Sequence, residues 1–191
     1  MSTAPDRPFI VSTSIDGLVS IELHRADDER GSFTEAWQTE KMQALGLPAI
    51  APVQMSVSRS RRGVIRGVHA EPWDKYIHVV AGSAFAAIVD LRTESPTFGR
   101  HECFDLDGTR AIYVPAGLGN SFQSLDDDLV YTYLVTGLYD AGLAASGGYP
   151  AVAFDDPDLA IAWPIGPEGQ ILSAKDRANP SLREAFPSSF G

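Results

Sequence analysis

One cysteine, Cys103, is all that 191 residues provide. That excludes an internal disulfide and a cysteine-based zinc site, and Cys103 reads as a buried apolar thiol. No apolar run approaches the ~20 residues that a membrane helix needs, so no membrane partner is expected. Met1 is not followed by the basic stretch and apolar run of a secretion signal, and a cytoplasmic protein is expected. Positive charge is scarce too: 15 Lys and Arg stand against 25 Asp and Glu, for a net charge of −10. Bulk charge therefore argues against nucleic acid or an anionic membrane surface as a partner. An anionic ligand would have to be caught by a local Arg/Lys cluster. A Gly-x-Ser-x-Gly elbow and the Walker and dinucleotide loops are missing.

What is present is a hydrophobic content of 44%, enough for one globular domain with a sizeable core. Residues 1–8 are polar and hold two prolines, fit for a loose arm or for pairing with a partner subunit. Short apolar runs then alternate with Gly and Pro: 10–13, 18–23, 53–59, 64–69, 76–80, 84–91, 100–104, 110–114, about 122–125 and 129–135. A turn every 8–12 residues or so predicts an all-β sandwich or barrel. Residues 27–32 read as a charged turn, and Ser32 is placed to cap a helix from about Phe33, with Trp37 and Met42 on or near its apolar side and Gly46 and Pro48 at its end. Residues 142–149 read as a flexible loop, 172–176 as the start of a short closing helix, and the chain from about Arg183 as frayed.

The run Val53 to Arg59 carries Gln54, Ser56 and Ser58 on its polar face, suited to a wet cavity or to solvent. In the run Val64 to His69, Arg66 and His69 have opposite parity, and Gly67 permits a bulge that re-aims one of them. A cupin barrel would bind its metal with His-x-His, a downstream Glu and a His after a Pro-x-Gly turn. Here His69 is followed by Glu71, and Asn120 follows Pro115-Ala116-Gly117. Amide is a poor metal ligand, so no metal is expected. His24, His78 and His101 read as surface or packing residues. Acid–base chemistry by His69, Tyr133 and a carboxylate, with Lys75 as electrostatic partner, is what remains. Each of these residues taken singly has a structural explanation as good.

Together they carry a likeness. The segments Asp28 to Glu35, Ile65 to His69, Lys75, Val89-Asp90-Leu91-Arg92, Ser95 to Gly99, Val114 to Gly117, Tyr133, Ala162-Trp163-Pro164 and Leu172 to Asp176 match in order and spacing. Over about residues 10–182 the chain resembles the dTDP-4-dehydrorhamnose 3,5-epimerase family of sugar-nucleotide epimerases. The resemblance implies a cupin-type jelly roll, or double-stranded β-helix, with a few short peripheral helices, forming a single domain. It implies a cofactor-free, metal-independent isomerase of deoxysugar biosynthesis that takes a dTDP-4-keto-6-deoxyhexose, and a homodimer with strands shared between subunits. Carried over by position, His69 is the base, Asp176 its carboxylate, Tyr133 the acid and Lys75 the cation near a developing enolate. Arg30, Phe33, Glu35, Gln54 and Arg66 hold nucleotide, phosphates or sugar.

Three positions depart from the family pattern. Asn120 stands where a His is common, Ala86 where an Asp often is, and Ala70-Glu71 follows the base in place of an aromatic-Gln pair. They bear on the substrate and on the number of carbons inverted. Inversion at one carbon, or sugar-nucleotide binding without catalysis, stay open beside inversion at carbons 3 and 5.

Overall fold

The computed structural model of the chain describes residues 8–190; the rest of the predicted N-terminal arm lies outside the described residues. A six-stranded sheet has the order β1 (Phe9–Ser12), β2 (Val19–Glu22), β10 (Arg110–Val114), β7 (Lys75–Ala81), β12 (Leu129–Val135), β5 (Gln54–Ser60). A four-stranded sheet has the order β6 (Ile65–Ala70), β11 (Leu118–Ser124), β8 (Ala84–Asp90), β9 (His101–Leu106). The ladders within both sheets are antiparallel. No helix among the described residues is long and apolar enough to cross a membrane.

Alternation decides what fills the barrel. Ile77 and Val79 of β7, Leu129 and Tyr131 of β12, Phe122 of β11 and Ala86 and Ile88 of β8 point inward and pack as one core. The same inward rows run on into polar residues: Lys75 before Ile77, Tyr133 after Tyr131, Asn120 before Phe122. One end of the barrel is thus apolar and the other lined with groups that need partners. Outside, Met42, Leu47 and Ile50 cover the six-stranded sheet over Tyr76 and Tyr113. Val152, Leu159, Ile161 and Leu182 cover the other over Val68, Ala87 and Val89.

Strand β5 alternates the other way round. Gln54, Ser56 and Ser58 face inward, while Met55 and Val57, each 60% exposed, face out. Of the two readings of its polar face, the cavity is the correct one.

Several local expectations need correction. Residues 32–34 form no helix: β3 (Arg25–Asp28) and β4 (Gly31–Thr34) pair as a hairpin. Asp28 Oδ1 accepts the Arg30 N–H at 2.8 Å, and Gly31 takes φ +126, so turn chemistry outcompetes the cap. The helix starts later, as α1 (Thr39–Ala44), capped by the Gln38 side chain. The loop at 142–149 begins with α2 (Ala141–Ala145), because Asp140 Oδ1 accepts the N–H groups of Gly142 and Leu143. The C-terminal segment is not frayed. Ser181 and Glu184 form a capping box at α4 (Leu182–Ala185), Arg183 pairs with Asp158, and Phe98 packs between Phe186 and Phe190. Cys103 is exposed, not buried: on β9 its even neighbours Phe104 and Leu106 take the inward face. Partial loss of hydration at the thiol, with the nearby Glu102 and Asp105 carboxylates, pushes it up to about 11. The closing helix occurs as expected, as α3 (Ala174–Arg177).

Candidate active site

His69 reaches the polar end of the barrel through a bulge. Asn120 pairs with His69 and Phe122 with Arg66, so two residues of β6 oppose the single Ser121. Gly67, at φ +124, makes this possible; a Cβ there would lie 2.4 Å from that of Ser121. Without the extra residue, His69 would share the wrong face with its neighbours.

Asp176 arrives from α3. Ser173 caps that helix, its Oγ accepting the Asp176 N–H at 3.0 Å and donating to Asp176 Oδ2 at 2.8 Å. The other oxygen, Oδ1, lies 2.7 Å from His69 Nε2. Asp176 is buried, and burial alone would raise its pKa. The hydrogen bonds of His69 and Ser173, with the charge of Lys175, hold it below the usual carboxylate range. An ionised Asp176 fixes the proton on Nε2 and leaves Nδ1 as the free lone pair.

Lys75 opens β7 and is 4% exposed. Its Nζ contacts a Glu71 carboxylate oxygen and donates to the His69 carbonyl at 3.4 Å. Burial pushes the ammonium pKa down, and Glu71 opposes this. Tyr133 sits across from Ser56 and Ile77. Burial pushes its phenol up to about 12, against the Ser58 hydrogen bond and the Arg66 charge. Tyr131, stacked on Phe122 with ring centroids 4.1 Å apart, donates to Asn120 Oδ1 at 3.3 Å.

A cavity of about 220 Å³ joins His69, Lys75, Tyr133, Asn120, Gln54 and Glu71. A second, of about 480 Å³, meets it at His69, Glu71 and Tyr139 and extends past Lys175 and Asn179. Six of the ten candidate residues therefore converge, counting Asp176 behind His69 but not Glu71. Arg66 stands on β6 with its Nε on Ser60 Oγ at 3.2 Å, close enough for its charge to act on Tyr133. Arg30, Phe33 and Glu35 line neither cavity; they border concavities around the β3–β4 hairpin. The Arg30 side chain is 85% exposed and ion-paired with Asp28, Phe33 is 71% exposed, and Glu35 pairs with Lys41. Ala86 is buried in the apolar core and lines neither cavity.

Among the described residues no group of three or more His, Cys, Asp and Glu is placed to hold a metal. Of the cupin metal positions, His69 is engaged by Asp176 and Glu71 by Lys75. Two contributors were missing from the sequence-based set. Ser173 is visible in hindsight as the Ser-x-x-Asp start of a helix. Glu71 stands four residues before Lys75, a spacing that means nothing until the β6–β7 turn brings the two together.

Fold and site together define a cupin-type jelly roll with acid–base side chains in its mouth. The family profile described as dTDP-4-dehydrorhamnose 3,5-epimerase matches residues 12–184, and the chain belongs to that family; it is an isomerase. A dTDP-4-dehydrorhamnose 3,5-epimerase of Streptomyces griseus is 42% identical over 90% of this chain and 85% of its own. The structure of RmlC from Streptococcus suis in complex with dTDP-D-xylose superposes with a TM-score of 0.90 at 36% identity, covering 97% of each chain. ChmJ, a 3'-monoepimerase of Streptomyces bikiniensis solved with dTDP-quinovose, gives 0.81 at 36% identity, covering 92% of this chain and 88% of that one.

Proposed function

We propose that this chain inverts carbons 3 and 5 of a dTDP-linked 4-keto-6-deoxyhexose, without a metal ion, in the cytoplasmic formation of a deoxysugar of the rhamnose type. The observation that carries this reading is the convergence of the His69–Asp176 pair, Lys75 and Tyr133 on one cavity. A C–H next to a ketone is too weak an acid for imidazole unless the enolate is stabilised. His69 takes the proton, Lys75 meets the charge that forms on the keto oxygen, and Tyr133, kept protonated by its raised pKa, returns a proton from the other face of the ring. Low dielectric in a buried site strengthens each of these interactions. Gln54 and Asn120 bind sugar hydroxyls or the keto oxygen, and Arg66 binds the diphosphate.

Arg30, Phe33 and Glu35 complete the nucleotide site from a second copy of the chain. Their exposed hairpin and the outward apolar Met55 and Val57 of edge strand β5, with exposed Val53 just before it, support a homodimer.

Inversion at one carbon is the second reading. It draws on Asn120, a group that donates but cannot relay a proton, and on the likeness to a 3'-monoepimerase. Incubation of dTDP-4-keto-6-deoxyglucose in heavy water separates the two: deuterium is expected at both carbons. Deuterium at one alone establishes the second reading. Binding with no exchange at either carbon makes the protein a sugar-nucleotide binder.

A further inference from the structure

Glu71 is a carboxylate inside the sugar cavity, put to no use by the acid–base steps above. It lies in the turn between β6 and β7, between the proposed base and the proposed cation. Its side chain is 17% exposed and touches Lys75 Nζ. It lines both the 220 Å³ cavity and the 480 Å³ one beside it.

We propose that Glu71 is a positioning residue for the epimerisation: its carboxylate keeps Lys75 charged and aimed at the place where the enolate oxygen forms. The inference rests on the epimerase reading. The physical need is plain. An ammonium shut into a barrel loses its hydration, and an isolated one sheds its proton. Few partners are available to hold it. Lys75 starts β7, with Val114 of β10 and Val135 of β12 as its ladder neighbours, and neither side chain carries charge. From β6 it has only the His69 carbonyl, at 3.4 Å. Asp74, next in the chain, is taken by the Tyr113 hydroxyl and the Ala116 N–H. The titratable groups around the cavity are His69 with Asp176 behind it, Tyr133 with Arg66 near it, and Tyr139 at the rim. Glu71 is the acid in contact with Nζ.

The same carboxylate has a second effect, because its charge helps keep the Tyr133 phenol protonated. Glu71 thereby favours the reactive protonation state of both groups. A neutral amide at this place cannot do either. The carboxylate also has a cost that substrate must meet, since it competes with the enolate oxygen for the same ammonium. The attraction to Lys75 grows as charge develops on that oxygen, so the transition state is favoured over the ketone ground state.

The test is the pH profile of kcat for Glu71→Gln against the natural enzyme, from neutrality to about pH 10. The alkaline limb, where Lys75 loses its proton, should move to lower pH by about one unit or more, with kcat on that limb reduced by roughly tenfold. Glu71→Asp, which keeps the carboxylate, should recover part of the shift. Repeating the pair in a Tyr133→Phe background, with deuterium exchange as readout, removes the phenol from the profile. An unmoved limb in Glu71→Gln overturns the proposal. So does a shift that vanishes with Tyr133, because the phenol would then account for it. An inactive natural enzyme would instead count against the epimerase reading itself.

Discussion

In the proposed mechanism His69 and Tyr133 divide the chemistry, and single substitutions should separate their parts. Replacing His69 by Ala removes the base, and solvent exchange should fall by about 10³-fold or more. Tyr133→Phe keeps the base and the ring, so exchange should persist while net inversion is impaired. Complete activity in Tyr133→Phe, measured as product formed rather than deuterium taken up, would refute the role of the phenol. Away from the site, Asp90 makes a stability prediction. It is wholly buried and accepts from Arg92 Nε at 2.9 Å and from Ser95 and Thr97 at 2.6 Å each. Burial alone would raise its pKa, yet these partners hold it down to about 2. The folded value lies below the unfolded one, so the stabilisation is present above pH ~4 and is lost as pH falls towards ~2. It amounts to about 2 kcal/mol. Asp90→Asn should destabilise the protein at neutral pH, and thermal melts of the two proteins should converge in acid.

At the scale of elements, the bulge in β6 does most to build the site. Gly67→Ala would press a Cβ to 2.4 Å from Ser121 and 2.7 Å from the Asn120 carbonyl oxygen, at a φ that L-residues rarely adopt. A loss of more than ~2 kcal/mol is expected, read in denaturant unfolding, with His69 displaced and exchange reduced in whatever folds. Helix α3 is the other decisive element, and it is four residues long. A helix that short has little stability of its own, so Ser173 both starts it and orients the carboxylate. Near-continuous apolar runs bounded by turn residues, such as β10 and β12, fall where the sequence puts them. The β3–β4 hairpin does so only in part: its charged turn is where the sequence puts it, but residues 31–34, which also suit a helix cap, continue as a strand. Strand β5 shows why alternation predicts a strand without saying which face is inside.

For the whole molecule the question is how many copies make a working site. Replacing both outward residues of β5, as Met55→Asp with Val57→Asp, should yield monomers in size-exclusion chromatography with light scattering, with activity lost alongside. If the hairpin serves the neighbouring subunit, co-expression of His69→Ala and Arg30→Ala chains should restore activity that neither variant has alone. Each mixed dimer would then hold one intact site, because the unaltered His69 of one copy meets the unaltered Arg30 of the other. No recovery in mixed dimers would return Arg30 to its own subunit or remove it from the site.

The residue types and their order were enough to mark out most of the strands and the acid–base chemistry available, because apolar patterning and side-chain chemistry are local properties, while the proposed base, acid and cation came from the match of motifs in order and spacing. Which groups meet is a different matter. The 2.7 Å approach of His69 to Asp176 spans 107 positions of sequence, and the contact between Glu71 and Lys75 depends on how one turn folds back. Only the closed barrel decided these, along with the inward turn of the polar face of β5 and the distance of the hairpin from the cavity. Burial and long-range packing set them, and neither is written in any short stretch of chain.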